Sequence, residues 1–417
     1  MNKKHNYQIG KINFCQICNS KQIKMVMDFG YQPLADDLIP LKMGFRKTLF
    51  YPLKIYLCKK CSLLQTSYIV GDNTLYPKNY HYLPGISKTV VDNFASMASN
   101  LKKIYDLQTN DLIIDVGCND GSLLNEFKKI NLSNVLGIDP TDTIKIASQK
   151  KIQTIQNFFN LRTASIALKK YGKAKIITTT NVFAHTNKLG DFILAAKKML
   201  KKDGTFIIEN HYLLDVIKLN QFDTFYHEHL RTYSLKSLVI LLKYYGFHLK
   251  DAYTSDRYGG NIQAHFSLKK NKYNKRIKAI LLKEEKFKLN NESTYSNFFN
   301  KIYIARDQMY KFLTKYKHKN IVGKAFPARA SVILHFFSFM KDHLKCIYEQ
   351  PSSNKINHYA PGTDVKILSS KTLLKNKPDI MIILAWHMFD EIKNKWKNKG
   401  LKNTKFIKPL PFLRKEN

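Results

Sequence analysis

Long apolar runs are missing from this chain of 417 residues, and so is any balance between acidic and basic side chains. Its strongest apolar stretches, such as IMIILAW at 380–386, fall far short of the roughly 20 residues a membrane helix needs. The opening MNKKHNYQIGKINFCQIC carries charge with no apolar segment behind it, unlike a secretory leader. A soluble, cytoplasmic protein without a membrane partner is therefore expected. Acids number 31 against 69 Lys and Arg, a formal charge of +38. Such an excess attracts phosphate-bearing partners at long range. It is mostly Lys, however, spread along the whole chain, whereas Arg, the better bidentate reader of phosphates and bases, is scarce. No basic arm gathers, so the lysines read as a solvated surface and nucleic acid is not the expected partner.

What is present is more specific. The length and a hydrophobic content of 44% allow about three domains by the usual size rule. Four of the six cysteines form two pairs, Cys15 and Cys18 in CQIC and Cys58 and Cys61 in CKKC, each in a turn after a strand-like KINF or KIYL. Two residues between thiolates let one tight knuckle offer both sulfurs to a single ion, and two knuckles complete a tetrahedral shell for Zn2+. Four thiolates leave no open position for substrate, so the zinc is expected to be structural, stapling a module over residues 1–75 that is too small for a core of its own.

The second signal is DLIIDVGCNDGSLL at 111–124, an apolar strand running into a turn with Gly117 and Gly121 and then a helix with Ser122 near its cap. The glycines let the backbone turn sharply and approach a ligand. A further strand, NVLGIDP, ends on Asp139, where an acid in the crevice of a doubly wound sheet accepts hydrogen bonds from ribose hydroxyls. The turn is G-C-N-D-G and not G-x-G-x-x-G, which favours an S-adenosyl-L-methionine site over a nicotinamide one. Gly117, Cys118, Asn119, Gly121 and Asp139 are the cofactor candidates. KIITTTNVFAHT, LGDFILAAKKMLKKDG and TFIIEN continue the strand and helix alternation of a parallel sheet with helices on both faces. The strand ending at 181–185 places Asn181 and His185 over the cofactor.

Residues 270–318, rich in Lys and Asn, keep helical apolar spacing and read as connecting helices. After NIVGKAF, strands and helices alternate again. The boundaries expected are 76–265 for the cofactor-binding core, 266–318 for the connecting helices and 319–417 for a second domain of alternating strands and helices. The fold class is α/β.

With FGYQPLAD, YHYLPGIS, VGCNDGSLL, NVFAH, ENHYLLDVI, FDTFYHEHLRTYS, YGGNIQ, HYAPGTDVKI and PDIMIILAWHMFDEI in place, the chain resembles the sugar C-methyltransferases that act on nucleotide-linked 4-keto-deoxyhexoses. These join an N-terminal zinc module, a methyltransferase domain and a C-terminal Rossmann-like domain. Carbon methylation beside a ketone needs a base for the α-proton, a group to stabilise the enolate, and a methyl sulfonium in line. A neutral imidazole is available at working pH, and a neighbouring carboxylate can tune it. The resemblance implies His229 as base, Glu228 as its tuning or substrate-orienting carboxylate, and Tyr226, His185 and Tyr80 lining the pocket. Tyr82 and Lys355 are implied as substrate contacts, carbon 3 as the methylated position, and a nucleotide-sugar as the partner of a monomer. A metal reading of His227 with His229 lacks a third ligand.

The chain departs from that family in two places. Leu83, Pro84 and Gly85 replace a Ser-rich turn. In VGKAFPARAS, Ala325 and Ala330 stand for expected glycines, and Arg329 is expected to compensate as a phosphate contact. An RNA-modifying methyltransferase and a non-catalytic zinc scaffold are the alternative classes. The first lacks clustered Arg and aromatic platforms, and the second conflicts with the undamaged VGCNDG and Asp139.

Overall fold

Neighbouring residues on the central strands go to different cores, and this alternation sorts the whole middle of the molecule. The computed structural model describes residues 9–44, 46–75, 83–338, 340–410 and 414–415. Strands β1 (Ile113–Val116), β2 (Val135–Asp139), β3 (Gln153–Gln156), β4 (Ala174–Thr180), β5 (Leu200–His211), β6 (His248–Ser255) and β7 (Asn261–Ser267) form one sheet in the order β6-β7-β5-β4-β1-β2-β3. The first five run parallel, and β7 is antiparallel to both its neighbours. Ile113, Ile176 and Ile207 face Phe94 and Met97 of α1 (Lys88–Tyr105) and Leu124 and Phe127 of α2 (Ser122–Lys129). Ile114, Ile177 and Ile208 share the other core with Phe192 and Ile193 of α3 (Leu189–Met199). Helices on both faces give a parallel sheet the burial it requires. The chain leaves β1 toward β2 on one side and resumes at β4 on the other, so a crevice opens at the carboxyl ends of β1 and β4.

Two strand exchanges stitch the other parts to this core. In the N-terminal module, Ile23–Pro33, Phe50–Cys58 and Leu64–Thr66 pair antiparallel, and the fourth strand, Arg231–Thr232, comes from the central part of the chain. The C-terminal sheet is built on parallel Ile321–Lys324, Ile347–Glu349, Lys366–Ser369, Ile380–Ile383 and Lys405–Lys408. Ile39–Pro40 of the N-terminal module joins that sheet through His358–Tyr359.

The Lys- and Asn-rich stretch forms helices α4 (Lys275–Lys286) and α5 (Glu292–Lys315). Their starts are set by Asn274 and Asn291, whose side chains accept from the backbone N–H of Ile277 and Ser293 at 2.9 and 3.1 Å. Where the parts meet, Phe29 packs against Phe222, Phe225, Phe299 and Phe336, with ring centroids 6.1, 6.0, 5.4 and 5.3 Å away. Aromatic pairs of this kind add about 0.5–1.5 kcal/mol each beyond the area they bury.

Candidate active site

Cys15, Cys18, Cys58 and Cys61 are all buried, and their sulfurs lie within 4.8 Å of one another. Cys15 Sγ is 3.4 Å from Cys61 Sγ, and Cys18 Sγ is 3.6 Å from Cys58 Sγ. A zinc–sulfur bond of about 2.3 Å gives a tetrahedron with edges of about 3.8 Å, so the donor set fits Zn2+. Asn19 and Ser62, at φ of 55° and 59°, reverse the chain just after each pair. Among the described residues this is the one group of three or more His, Cys, Asp or Glu close enough to hold an ion. The pairing of His227 with His229 around a metal therefore has no geometry to support it. His227 instead packs on the zinc module, its ring 5.8 Å from that of Tyr51.

At the carboxyl ends of β1 and β4 lies a cavity of about 290 Å3. Gly117, Cys118 and Asn119 of the turn line it, and Gly121 closes that turn without reaching the cavity. Gly117 has φ +74°, and a Cβ there would meet Val182 Cγ2 at 2.3 Å; one on Gly121, also at +74°, would meet Ala147 Cβ at 2.7 Å. Asn119, at φ 50°, donates its backbone N–H to Asp139 Oδ2 at 3.0 Å. Asp139 Oδ1 accepts from the Thr141 N–H at 2.8 Å and hydroxyl at 2.6 Å, which fixes the carboxylate at the rim. Cys118 lines the cavity too, with its sulfur lying over Gly137, where a Cβ would sit 2.5 Å from it. Asp120 faces away: its Oδ1 accepts from the Ser122 N–H and hydroxyl at 3.2 and 2.7 Å and starts α2. These features fit S-adenosylmethionine, with a left-handed turn that exposes backbone and a carboxylate at the end of β2 placed for ribose hydroxyls.

Two further groups in this cavity escaped the sequence reading. Asp115, the acid inside DLIIDVG, is buried, accepts from the Thr178 hydroxyl at 2.7 Å, and is pushed up to about 7 by burial. Arg257 reaches the cavity from the loop after β6, with its guanidinium 4.5 Å from the Phe94 ring centre and Nη1 donating to Glu209 Oε1 at 2.8 Å. The first had a local signal, since an acid closing an apolar strand before Gly belongs to the turn. The second had none.

Beside the cofactor cavity, Asn181, His185, Asn210, His211, Thr224 and His229 surround a smaller one of about 10 Å3, the size of a single water. A turn brings Tyr226 and His229 together, with the His229 N–H donating to the Tyr226 carbonyl at 2.9 Å. His229 Nδ1–H donates to the Thr224 carbonyl at 2.7 Å, which leaves Nε2 as the acceptor of the Tyr226 hydroxyl at 3.0 Å. Burial and the neighbouring His185 and His211 hold the His229 imidazole neutral, well below its ordinary range. The Asn210 side chain is buried, and neither its amide nitrogen nor its oxygen has a hydrogen-bond partner among the described residues.

Several expected roles change. Glu228 is not the carboxylate against His229, whose two ring nitrogens are taken by Thr224 and Tyr226; its Oε2 is 3.8 Å from His185 Nδ1. The turn closed by the His229 N–H and the Tyr226 carbonyl brings together residues three apart, not adjacent ones. Lys355 has its charge committed to Asp36, Nζ to Oδ1 at 2.8 Å, and both are buried. Burial pushes the Tyr226 hydroxyl well up, and the nearby charges of Glu228 and then Asp36 add to it. Arg329 is no phosphate contact: it makes a two-pronged pair with Asp223, Nε to Oδ2 at 2.7 Å and Nη2 to Oδ1 at 2.8 Å. Ala325 adopts φ 64°, keeping a glycine conformation without glycine. Tyr80 and Tyr82 lie outside the described residues.

Three domain families match the chain in series: "Putative zinc binding domain" over residues 15–76, "Methyltransferase domain" over 92–251 and "C-methyltransferase C-terminal domain" over 256–411. The C-methyltransferase NovU of Streptomyces niveus is 24% identical over 405 residues, 96% of each chain. Among solved structures, an S-adenosylmethionine-dependent methyltransferase from Clostridium acetobutylicum is similar at TM-score 0.35 and 15% identity, over 43% of this chain and 92% of that one. Another S-adenosylmethionine-dependent methyltransferase, from Anabaena variabilis, is similar at TM-score 0.34 and 14% identity, over 42% and 84%. With a four-cysteine zinc module, a doubly wound core and this C-terminal domain in one polypeptide, the protein belongs to the S-adenosylmethionine-dependent C-methyltransferases.

Proposed function

We propose that the protein methylates a nucleotide-linked 4-keto-deoxyhexose at a carbon next to the ketone, carbon 3 by the resemblance of its motifs. The observation that carries this reading is the state of His229: Nδ1–H is spent on the Thr224 carbonyl, so Nε2 is the basic nitrogen, and among the described residues it is held by the Tyr226 hydroxyl alone. On substrate binding the α C–H takes the place of that hydroxyl at Nε2, and the hydroxyl turns to the keto oxygen. His185 and the unpartnered Asn210 amide border the same space and complete the set of donors for the enolate oxygen. Glu228, beside His185, orients that ring. When bound, the cofactor supplies an electrophilic methyl group on a sulfonium.

The step balances. The C–H bond breaks and its proton goes to His229 Nε2; the electron pair left on the α-carbon would form the new carbon–carbon bond to the methyl that a bound cofactor supplies, whose sulfur would be left as a neutral thioether. The net charge of the buried site is unchanged, because the imidazolium appears as the sulfonium charge is lost, so no isolated charge is created in a low-dielectric space.

The nucleotide is assigned to the C-terminal domain, so that the small-molecule substrate reaches from it to the core. The molecule is taken to work as a monomer in the cytoplasm, with units at 1–75, 76–265, 266–318 and 319–417.

The test is incubation with S-adenosylmethionine and a thymidine-diphosphate-linked 4-keto-6-deoxyhexose. A product one methyl group heavier, with the label on carbon, is expected from the wild type and not from His229→Asn. Methyl transfer to RNA with none to any nucleotide-linked ketosugar would refute the proposal.

A further inference from the structure

The turn after the first strand of the C-terminal domain is where a Rossmann-like sheet usually receives phosphate. Here it sends a side chain into the methyltransferase core. Arg329 Nε and Nη2 bind both oxygens of Asp223 at 2.7 and 2.8 Å, and Nη2 also donates to Gln221 Oε1 at 3.1 Å and to Thr224 Oγ1 at 2.9 Å. Trp386 of the same domain donates its indole N–H to Asp223 Oδ2 at 2.8 Å. Asp223 is fully buried and Arg329 nearly so. All of this converges on residues 221–224, and the carbonyl of Thr224 is the group that holds His229 Nδ1–H.

We infer that Arg329 is a positioning residue for His229: the C-terminal domain sets the place and tautomer of the base through Asp223 and Thr224. The inference rests on the reading of His229 as base. Its physical content is that a planar guanidinium fork fixes two carboxylate oxygens in direction as well as distance. A segment pinned at Asp223 and at the Thr224 hydroxyl cannot rotate the Thr224 carbonyl away from the imidazole. Without the pin, Nδ1 loses its acceptor and the ring is free to present Nδ1 or Nε2, protonated or not, to the substrate. Docking of the C-terminal domain thereby becomes a condition for proton abstraction, and not only for holding the nucleotide.

The readout is exchange of the sugar α-proton with D2O, followed by NMR on a thymidine-diphosphate-linked 4-keto-6-deoxyhexose with S-adenosylhomocysteine present, so that no methyl is transferred. Arg329→Lys removes the fork. Thr224→Val removes only the hydroxyl that Arg329 holds, keeps the carbonyl, and carries the test if the lysine variant does not fold. Exchange at saturating sugar should fall on the order of 10- to 100-fold in each folded variant, the cost of a small misplacement of a reacting group. KM for the sugar should stay within about twofold, as befits a group that acts on the chemical step and not on ground-state binding. Unchanged exchange at saturation in the folded variants, whatever happens to KM, would overturn the inference. His229→Asn separates the two readings. If it keeps full exchange the base assignment fails, whereas if it loses exchange while both other variants keep it, only the positioning role fails.

Discussion

His227 offers a test of the packing between the zinc module and the catalytic segment that leaves the chemistry untouched. It sits between Tyr226 and Glu228 but turns the other way, buried against Tyr51, and burial pushes its imidazole down to about 4 from 6.5. A smaller pull from the backbone of Pro52 and Tyr51 acts upward. The folded protein thus keeps His227 neutral at a pH where the unfolded chain has protonated it. Its stabilising contribution is complete above the unfolded value of 6.5 and is lost as the pH falls toward 4. Between about pH 7.5 and about pH 5 the loss is about 2 kcal/mol, since each tenfold change in a proton-binding equilibrium is worth about 1.4 kcal/mol.

His227→Phe keeps a ring in the same place and removes the titration. Any strain from the larger ring changes stability equally at both pH values and cancels in the comparison. His185, His265 and His387, also depressed by burial to about 4, 3 and 3, destabilise both proteins alike in acid and cancel too. Urea unfolding followed by circular dichroism at the two pH values should show the variant gaining on the wild type by about 2 kcal/mol at the lower one. If the difference between the two proteins is the same at both, His227 is not buried neutral, and the packing of this segment on the zinc module is wrong.

The zinc module makes a related prediction. Leu64 and Gln65, just past Cys61, pair with Thr232 and Arg231, and the Leu230 N–H donates to the Ala184 carbonyl at 3.1 Å. Cys58→Ser should lower bound zinc below about half an equivalent and speed hydrogen exchange across 230–232, as a metal that organises a module contributes directly to its folding. Exchange unchanged after zinc loss would show that the catalytic segment does not lean on the module. In the cofactor cavity, the Asp115 carboxyl is pushed up to about 7 by burial, so part of it is protonated in the free protein near neutral pH. A cationic cofactor favours the ionised form, and binding should release protons, fewer of them as the pH rises above 7. Calorimetry in buffers of different ionisation enthalpy should show this release in the wild type and its loss in Asp115→Asn; equal proton counts would remove Asp115 from the site.

The features legible from sequence alone are those in which a local backbone requirement selects the residue. Knuckles of two cysteines bring sulfurs together over a few residues, Gly117 and Gly121 occupy backbone that a Cβ would block, and strand and helix periods announce a parallel sheet covered on both faces. Zinc, the cofactor class and the doubly wound core follow from such short-range rules. Partnerships did not. Glu228 adjoins His229 in the chain, yet Tyr226 is its partner, because the turn joins residues three apart. Arg329 looked like a phosphate contact until folding placed it against Asp223, 106 residues away, and Lys355 meets Asp36 from 319 residues away. The strands exchanged at Ile39–Pro40 and Arg231–Thr232 likewise depend on which sheet edges come to lie side by side. A buried charge takes whatever partner the packed chain brings within reach, and that choice belongs to the tertiary structure because desolvation makes an unpaired charge too costly to leave alone.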